Sequence, residues 1–134
     1  MNFQDVPYPI MFSAYKTSED YGPGQYISGY NKFLTSYGKS FDLETGIFKA
    51  PRKGIFEFLA SMHHASSGVI SVMKNDISEL MFYCQDEYRD NLSFTWIMEL
   101  QQNDVIQLKS EANSIISCRE NTGCIFSGKF LREI

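Results

Sequence analysis

Apolar and polar residues alternate with a period of two along most of this chain, and this pattern predicts β-strands. The clearest run is 92–100, in which Leu92, Phe94 and Trp96 share one face with two further large apolar residues. In the run 54–62, Phe56 and Phe58 share a face that we expect to lie in the core. Both runs are short and rich in aromatic residues, as is typical of strands.

Turn signals separate these runs at short intervals. They include Gly22-Pro23-Gly24, Glu44-Thr45-Gly46, Asn75-Asp76 and Gln101-Gln102-Asn103, while longer polar loops are expected at 63–68, 85–91 and 110–123. We count eight to ten strands and no convincing amphipathic helix. The pattern therefore predicts an all-β sandwich, barrel or jelly roll in a single domain.

Composition narrows the classes of function. The chain has 134 residues with a net charge of −4, and only 21% of its residues are charged, which leaves room for buried contacts between subunits. It has no cluster of Lys and Arg, so a nucleic-acid partner is disfavoured. No apolar run reaches the ~18 residues that span a bilayer, so membrane insertion is not expected. The first nine residues do not resemble a signal peptide.

A set of motifs in fixed order gives the chain a more specific likeness. They are Met11-Phe12-Ser13-Ala14, Phe41-Asp42, Thr45-Gly46, Phe48-Lys49-Ala50-Pro51, Gly54-Ile55-Phe56-Glu57-Phe58, Met73-Lys74-Asn75, the turn from Leu100 to Asp104, and the ending Phe126-Ser127-Gly128-Lys129-Phe130-Leu131. In this order, from about residue 10 to residue 131, the chain resembles the globular head of complement C1q. Two positions depart from the family, because Asp76 and Asn103 replace its usual glycines. Both residue types tolerate the left-handed conformation that such turns need.

The resemblance implies an all-β antiparallel jelly-roll sandwich of about ten strands, of the C1q/TNF-like type, spanning 1–134 as one domain. It also implies a homotrimer that binds ligands and is not an enzyme. The collagen stem that often precedes this head is absent from the sequence. We therefore expect either a stemless head or a head cut from a longer protein.

The function that the resemblance favours is lectin-like pattern recognition, in which a secreted trimer binds glycans or microbial surface molecules in innate immunity. A cytosolic location is the alternative to secretion. One alternative is a cytokine-like or structural trimer that binds a protein receptor. An alternative of another class is a small β-barrel enzyme, which would need a convergent pair of titratable groups that no spacing here indicates.

Several residues are candidates for metal binding or for a disulfide. His63 and His64 form the only histidine pair, and an exposed pair on a loop is the simplest interpretation. Asp86, Glu87 and Asp90 could hold a calcium ion or form a solvated charged loop. Cys118 and Cys124 flank a turn-rich segment that a disulfide could close, although free buried thiols fit equally well. No cofactor is expected.

Hairpin geometry predicts where a ligand binds. Successive turns of an antiparallel jelly roll alternate between two ends, which brings the long polar loops together at the end opposite the C-terminus. Long loops carry binding more often than tight turns do. The predicted ligand-binding residues at that end are Tyr88, Arg89, Asp90, Arg119, Glu120, Asn121, His63 and His64. Arg89 and Arg119 are favoured because a guanidinium can hold a carboxylate through two hydrogen bonds, and Tyr88 is favoured because its ring offers a stacking face.

Overall fold

The computed structural model describes residues 9–65, 67–84, 90–120 and 123–134, and of Asp90 only the backbone. Within these residues all regular structure is β-strand. The strands are β1 (Met11–Lys16), β2 (Asp20–Tyr21), β3 (Lys32–Tyr37), β4 (Phe41–Asp42), β5 (Ile47–Lys49), β6 (Gly54–His64), β7 (Gly68–Lys74), β8 (Ile77–Cys84), β9 (Asp90–Leu100), β10 (Val105–Ser110), β11 (Ile116–Ser117) and β12 (Cys124–Arg132).

The strands form two antiparallel sheets. In the larger sheet, β6 pairs with β9 along one edge and with β12 and then β11 along the other. Beyond β12 this sheet continues with β1 and β3, and beyond β11 with β2. The smaller sheet has the order β4-β5-β10-β7-β8. The pairing of β6 with β9 is the longest, running from Gly54 opposite Leu100 to His64 opposite Asp90. This arrangement confirms the predicted jelly-roll sandwich.

The inner faces of the two sheets bury the predicted aromatic core. Phe56, Phe58 and Phe126 are fully buried, Phe48 is 1% exposed and Trp96 is 7% exposed. The ring of Phe58 stacks on Trp96 at 5.2 Å between centroids and meets Phe48 edge-on at 5.1 Å. Such aromatic pairs add stabilisation beyond the area that they bury.

Gly128 is required by close packing rather than by a turn. A Cβ at this position would come within 2.7 Å of the rings of both Phe12 and Phe58. Any side chain there would displace two core aromatics, so the glycine of the closing motif allows β12 to lie directly over the core.

The tight turns at the end that carries the C-terminus, here called the base, show why Asp76 and Asn103 can replace glycine. Asn75, Asp76 and Asn103 have φ angles of 52°, 67° and 74°, so all three adopt the left-handed conformation. Asp104 completes this end, since its carboxylate accepts hydrogen bonds from the Gln101 amide at 2.8 Å and from the Asn75 side chain at 3.0 Å. Partial desolvation raises the pKa of Asp104, but these hydrogen bonds and Lys74 outweigh it and lower the pKa overall.

The opposite end of the sandwich is here called the far end. Strands β1, β6, β8 and β10 end there, and β7, β9 and β12 begin there, as the antiparallel registers require. The alternation of hairpins predicted from the sequence therefore holds.

The loop expected at 63–68 begins later than predicted. His63 and His64 belong to β6, because β9 pairs with this strand as far as Asp90 and Ile116 of β11 pairs with His64 from the other side. The interpretation of the two histidines as an exposed loop pair is therefore wrong. Local sequence could not show this, since the partners lie about 27 and 52 positions away.

Replacing Phe58 by alanine tests the assignment of the core. We expect the Phe58→Ala variant to lose ~3–5 kcal/mol of unfolding free energy, because it removes a fully buried ring at the centre of the aromatic cluster. Leu34→Ala is the control, since Leu34 is 58% exposed and its truncation should change stability by under about 0.5 kcal/mol. Denaturant titration measures both, and equal losses in the two variants would contradict the assignment.

Candidate functional site at the far end

A disulfide closes the segment that carries three of the predicted ligand-binding residues, Arg119, Glu120 and Asn121. Cys118 and Cys124 are bonded, with their Cα atoms 5.6 Å apart, and both are fully buried. The structure thus decides between the two possibilities that the sequence left open. Cys84, half-buried at the end of β8, is a free thiol.

Arg119 follows the first half-cystine directly and projects from this segment. Its Nη1 donates to the Asp20 carboxylate and to the Cys118 carbonyl, both at 2.8 Å. The side chain is 52% exposed, so part of the guanidinium faces solvent. The guanidinium is therefore held in one orientation while remaining accessible to a ligand.

Asp20 is itself held in place by residues of β11, which lies about a hundred positions further along the chain. Strand β2 pairs with β11, placing Ser117 opposite Asp20, and the Ser117 hydroxyl donates to the same carboxylate oxygen at 2.8 Å. Ser117 is buried, whereas the Asp20 side chain is 51% exposed. A negative charge thus stands beside the guanidinium at a defined position.

Tyr15 supports the other flank of the disulfide-closed segment. Its ring lies so close to the Gly123 backbone that a Cβ there would overlap it, which explains the glycine. The Tyr15 hydroxyl points at the Glu120 carbonyl at the long distance of 3.5 Å, and the Lys32 ammonium lies 5.7 Å from the ring centroid. The segment is therefore held by its disulfide, by Asp20 on one side and by Tyr15 on the other.

A buried lysine fixes the neighbouring segment. Lys16 has no exposed surface, and its ammonium donates to the Gly29 carbonyl at 2.9 Å, approaches Glu19 at 3.4 Å and lies 5.0 Å from the Tyr21 ring centroid. A buried charge is tolerated only with such partners. Lys16 therefore serves to anchor residues 17–31 beside Asp20 and offers no contact to a ligand.

The sides of the sandwich carry a different kind of surface. On the outer face of the larger sheet, Leu59 is 40% and Ile97 60% exposed, and a depression of about 340 Å³ lies among Met11, Thr35, Leu59 and Thr95. On the smaller sheet, Met81 and Tyr83 of the edge strand β8 are 55% and 63% exposed. Apolar side chains grouped in this way mark surfaces that contact other molecules.

Comparison with known proteins identifies the family. The family model of the C1q domain matches residues 11–131. The chain belongs to the C1q domain family. Domains of this family are ligand-binding modules rather than enzymes, and they are typically extracellular.

Solved structures show the same fold at low sequence identity. The globular domain of zebrafish complement 1qA protein matches with a TM-score of 0.77 and 16% identity, over 93% of this C1q domain and 99% of that chain. Murine APRIL, solved at pH 8.5, matches with a TM-score of 0.64 and 15% identity, over 90% and 99%. At such identities the likeness establishes the fold and leaves the ligand open.

The histidine pair of this C1q domain does not form a joint site. His64 is fully buried, and its ring packs against Gly68, where a Cβ would come within 2.7 Å. His63 points to the opposite face of β6, as neighbours on a strand must, and its Nδ1 lies 3.3 Å from Asn91 Oδ1. The predicted contact of His63 with a ligand remains a prediction. The ring of His64 is buried and presents no surface to a ligand.

Other predicted site residues lie outside the described part of the chain. These are Asp86, Glu87, Tyr88, Arg89 and Asn121, together with the side chain of Asp90. The calcium site proposed for Asp86, Glu87 and Asp90 therefore remains a prediction. Among the described residues, no three His, Cys, Asp or Glu side chains are grouped to hold a metal ion.

The titratable groups with displaced pKa values lie apart from one another. Burial in the core raises the pKa of Tyr30, while partial burial and a hydrogen bond to Asp76 raise the pKa of Tyr26 on the outer side of the smaller sheet. Asp104 lies in a turn at the base. Each shift thus has a local structural cause, and none of the three groups faces Arg119.

A membrane-spanning helix would need a long apolar stretch, and none of the residues that the structure describes forms such a helix.

Removing the disulfide tests its role at the far end. We expect the double variant Cys118→Ala/Cys124→Ala to lose ~2–4 kcal/mol of stability, the usual cost of deleting a native bridge, which thermal unfolding would show. The control is Cys84→Ala, which alters a half-buried free thiol and should cost less. Alkylation of the unreduced, denatured protein should modify one thiol, and labelling of all three would contradict the bridge.

Proposed function

We propose that this C1q domain is a recognition module that binds glycans or other microbial surface molecules through its far end, as a secreted homotrimer in innate immunity, and that it performs no catalysis. The observation that carries the proposal is the corner formed by Arg119 of the disulfide-closed segment and Asp20 of β2. Here a hydrogen-bond donor and an acceptor, both about half exposed, stand 2.8 Å apart in a fixed arrangement.

The corner suits a saccharide for chemical reasons. Sugar hydroxyls both donate and accept hydrogen bonds, so they can donate to the Asp20 carboxylate while ring and hydroxyl oxygens accept from Arg119. An acidic sugar could also place its carboxylate on the guanidinium. Because both groups are already held in place, little conformational entropy is lost when a ligand binds.

The disulfide supports the secreted setting. Disulfides form and persist in oxidising compartments, and Cys118–Cys124 is fully buried beside the proposed site. Because the disulfide closes the segment that carries Arg119, ligand binding would depend on the oxidising conditions found outside the cell. This agrees with the usual location of the family.

The outer face of the larger sheet supports the homotrimer. Leu59 and Ile97 are substantially exposed there. Leu59 lines the 340 Å³ depression together with Glu57 and Lys129, which form an ion pair at 3.3 Å. Across this face Glu57 lies between Lys129 and Ile97, and Leu59 lies between Ser127 and Thr95, so polar and apolar side chains are interspersed. Large apolar side chains exposed together on one sheet face are a surface that a second subunit could cover. Three copies related by a closed rotation axis would cover this face in every copy.

A protein receptor is the second candidate ligand, and the smaller sheet carries the observation that favours it. Met81 and Tyr83 pair with Ser71 and Val69 and point away from the core, opposite to the buried Ile70. An assembly through the larger sheet would leave these two exposed side chains free to contact a protein. Aromatic residues and methionine are enriched at such interfaces.

The assembly has a direct test in solution. Light scattering should give about three times the chain mass of 15.4 kDa. The double variant Leu59→Glu/Ile97→Glu should give monomers, since it buries like charges at the proposed interface. Met81→Glu on the other sheet is the matched control and should leave the trimer intact. A wild-type monomer at micromolar concentration would contradict the proposal.

Glycan binding is tested with an array of sialylated, uronic and neutral glycans. We expect Arg119→Ala, and likewise Arg89→Ala, to weaken binding of a glycan identified on the array by ~10- to 150-fold, because a hydrogen bond to a charged group is worth ~1.5–3 kcal/mol. The melting temperature should not change, since Arg119 is half exposed.

The control for this experiment is Asp76→Gly, which restores the family's residue at the base and should leave binding unchanged. If both arginine variants bind normally and a change at the base or on a side of the sandwich abolishes binding, the proposed site is wrong. If the array shows no bound glycan and a protein is captured in a manner that Tyr83→Ala abolishes, the second candidate replaces the first.

A further inference from the structure

The contacts of Arg119 divide its guanidinium into an occupied and an available part. Nη1 donates to Asp20 and to the Cys118 carbonyl. Among residues 9–65, 67–84, 90–120 and 123–134, no atom forms a hydrogen bond or an ion pair with Nε or Nη2. These two nitrogens form the second edge of the fork, through which Arg can bind a carboxylate with two hydrogen bonds.

A carboxylate on that edge would lie close to the carboxylate already present. Asp20 contacts the adjacent nitrogen of the same planar group at 2.8 Å, so the two negative charges would stand within ~6 Å of each other, where like charges disfavour ionised neighbours. Asp20 cannot readily swing away, because Ser117 holds its Oδ1 and the pairing of β2 with β11 holds its backbone.

We infer that Asp20 sets the selectivity of this corner: it favours neutral, hydroxyl-rich saccharides and disfavours acidic ones. The inference rests on the proposed glycan binding at Arg119 and specifies its ligand class. A neutral saccharide can donate a hydroxyl to Asp20 and accept from the available edge of Arg119. An acidic saccharide gains the bidentate contact but meets the repulsion of Asp20.

The surrounding charges do not oppose this selectivity. Glu19 lies beside Asp20 and Glu120 beside Arg119, while the charge of Lys16 is buried and already engaged by Glu19 and the Gly29 carbonyl. Glu19 is paired with Lys16, and Lys32 lies over the ring of Tyr15, so the described charges around Arg119 are mixed in sign and do not form a cluster of cations. The local field therefore does not attract anions, in contrast to a site built to capture polyanions, where cations cluster.

The isosteric variant Asp20→Asn separates charge from geometry. Asparagine can still accept from Arg119 and Ser117 through its side-chain oxygen, so the guanidinium keeps its position while the negative charge is lost. Coulomb repulsion between two unit charges ~6 Å apart in a water-like medium corresponds to roughly a 3-fold change in affinity. We expect the ratio of acidic to neutral glycan binding to rise by about that factor in 50 mM salt, and the gain to shrink in 500 mM salt, where screening is stronger.

The experiment uses the full chain on an array of matched glycan pairs with and without a terminal sialic acid. The wild type, Asp20→Asn, Arg119→Ala and the control Asp76→Asn are compared at both salt concentrations. The control removes the same charge by the same substitution in the base turn, so it should leave the ratio unchanged. Melting temperatures confirm that each variant is folded.

The outcomes separate this inference from the function on which it rests. If Arg119→Ala weakens binding and Asp20→Asn raises the ratio, both are supported. If Arg119→Ala weakens binding while Asp20→Asn leaves the ratio unchanged or lowers it, the role of Asp20 is overturned and glycan recognition at Arg119 stands. If Arg119→Ala binds both members of each pair normally, or no pair binds the wild type, the proposed function itself is overturned.

Discussion

The pairing of β6 on both of its edges is the constraint on which the rest of the structure depends. Over eleven residues it pairs with β9 on one side, and on the other with β12 and then, at His64, with β11. Its inward residues, from Phe56 to Met62, are fully buried. One strand from the middle of the chain thus joins three strands of its C-terminal part, and a break in it would expose the core and unpair these three neighbours.

The arrangement of the strands at the far end depends on the pairing of β6. Because His64 pairs with Ile116, β11 is placed beside β6, and β2 then pairs with β11. Ser117 and Asp20 meet only as a result of these pairings, and Arg119 follows two residues later. The geometry of the candidate site is therefore a consequence of long-range backbone pairing, to which the disulfide adds a local closure.

The sequence predicted those features that depend on local pattern. Alternation identified the buried faces of 54–62 and 92–100, and turn chemistry explained how Asp76 and Asn103 substitute for glycine. It also placed Arg119 at the end opposite the C-terminus, because hairpin alternation follows from strand count. Burial of His64 and the role of Asp20 could not be predicted, since each depends on partners far along the chain, and β2 is only two residues long. A two-residue strand carries no periodicity to detect.

The proposed assembly and the proposed corner complement each other physically. A trimer closed by rotation about one axis places all three far ends on the same side of the particle. A corner in which a carboxylate already occupies part of the guanidinium would bind each saccharide weakly, because the ligand would share Arg119 with Asp20. Three such corners facing one surface would convert weak single contacts into strong attachment to a repetitive ligand, since the second and third contacts would form at high effective concentration. A soluble single saccharide would gain nothing from this arrangement, and a densely glycosylated surface would gain most. The same features therefore favour recognition of a repeated surface pattern over capture of an isolated sugar.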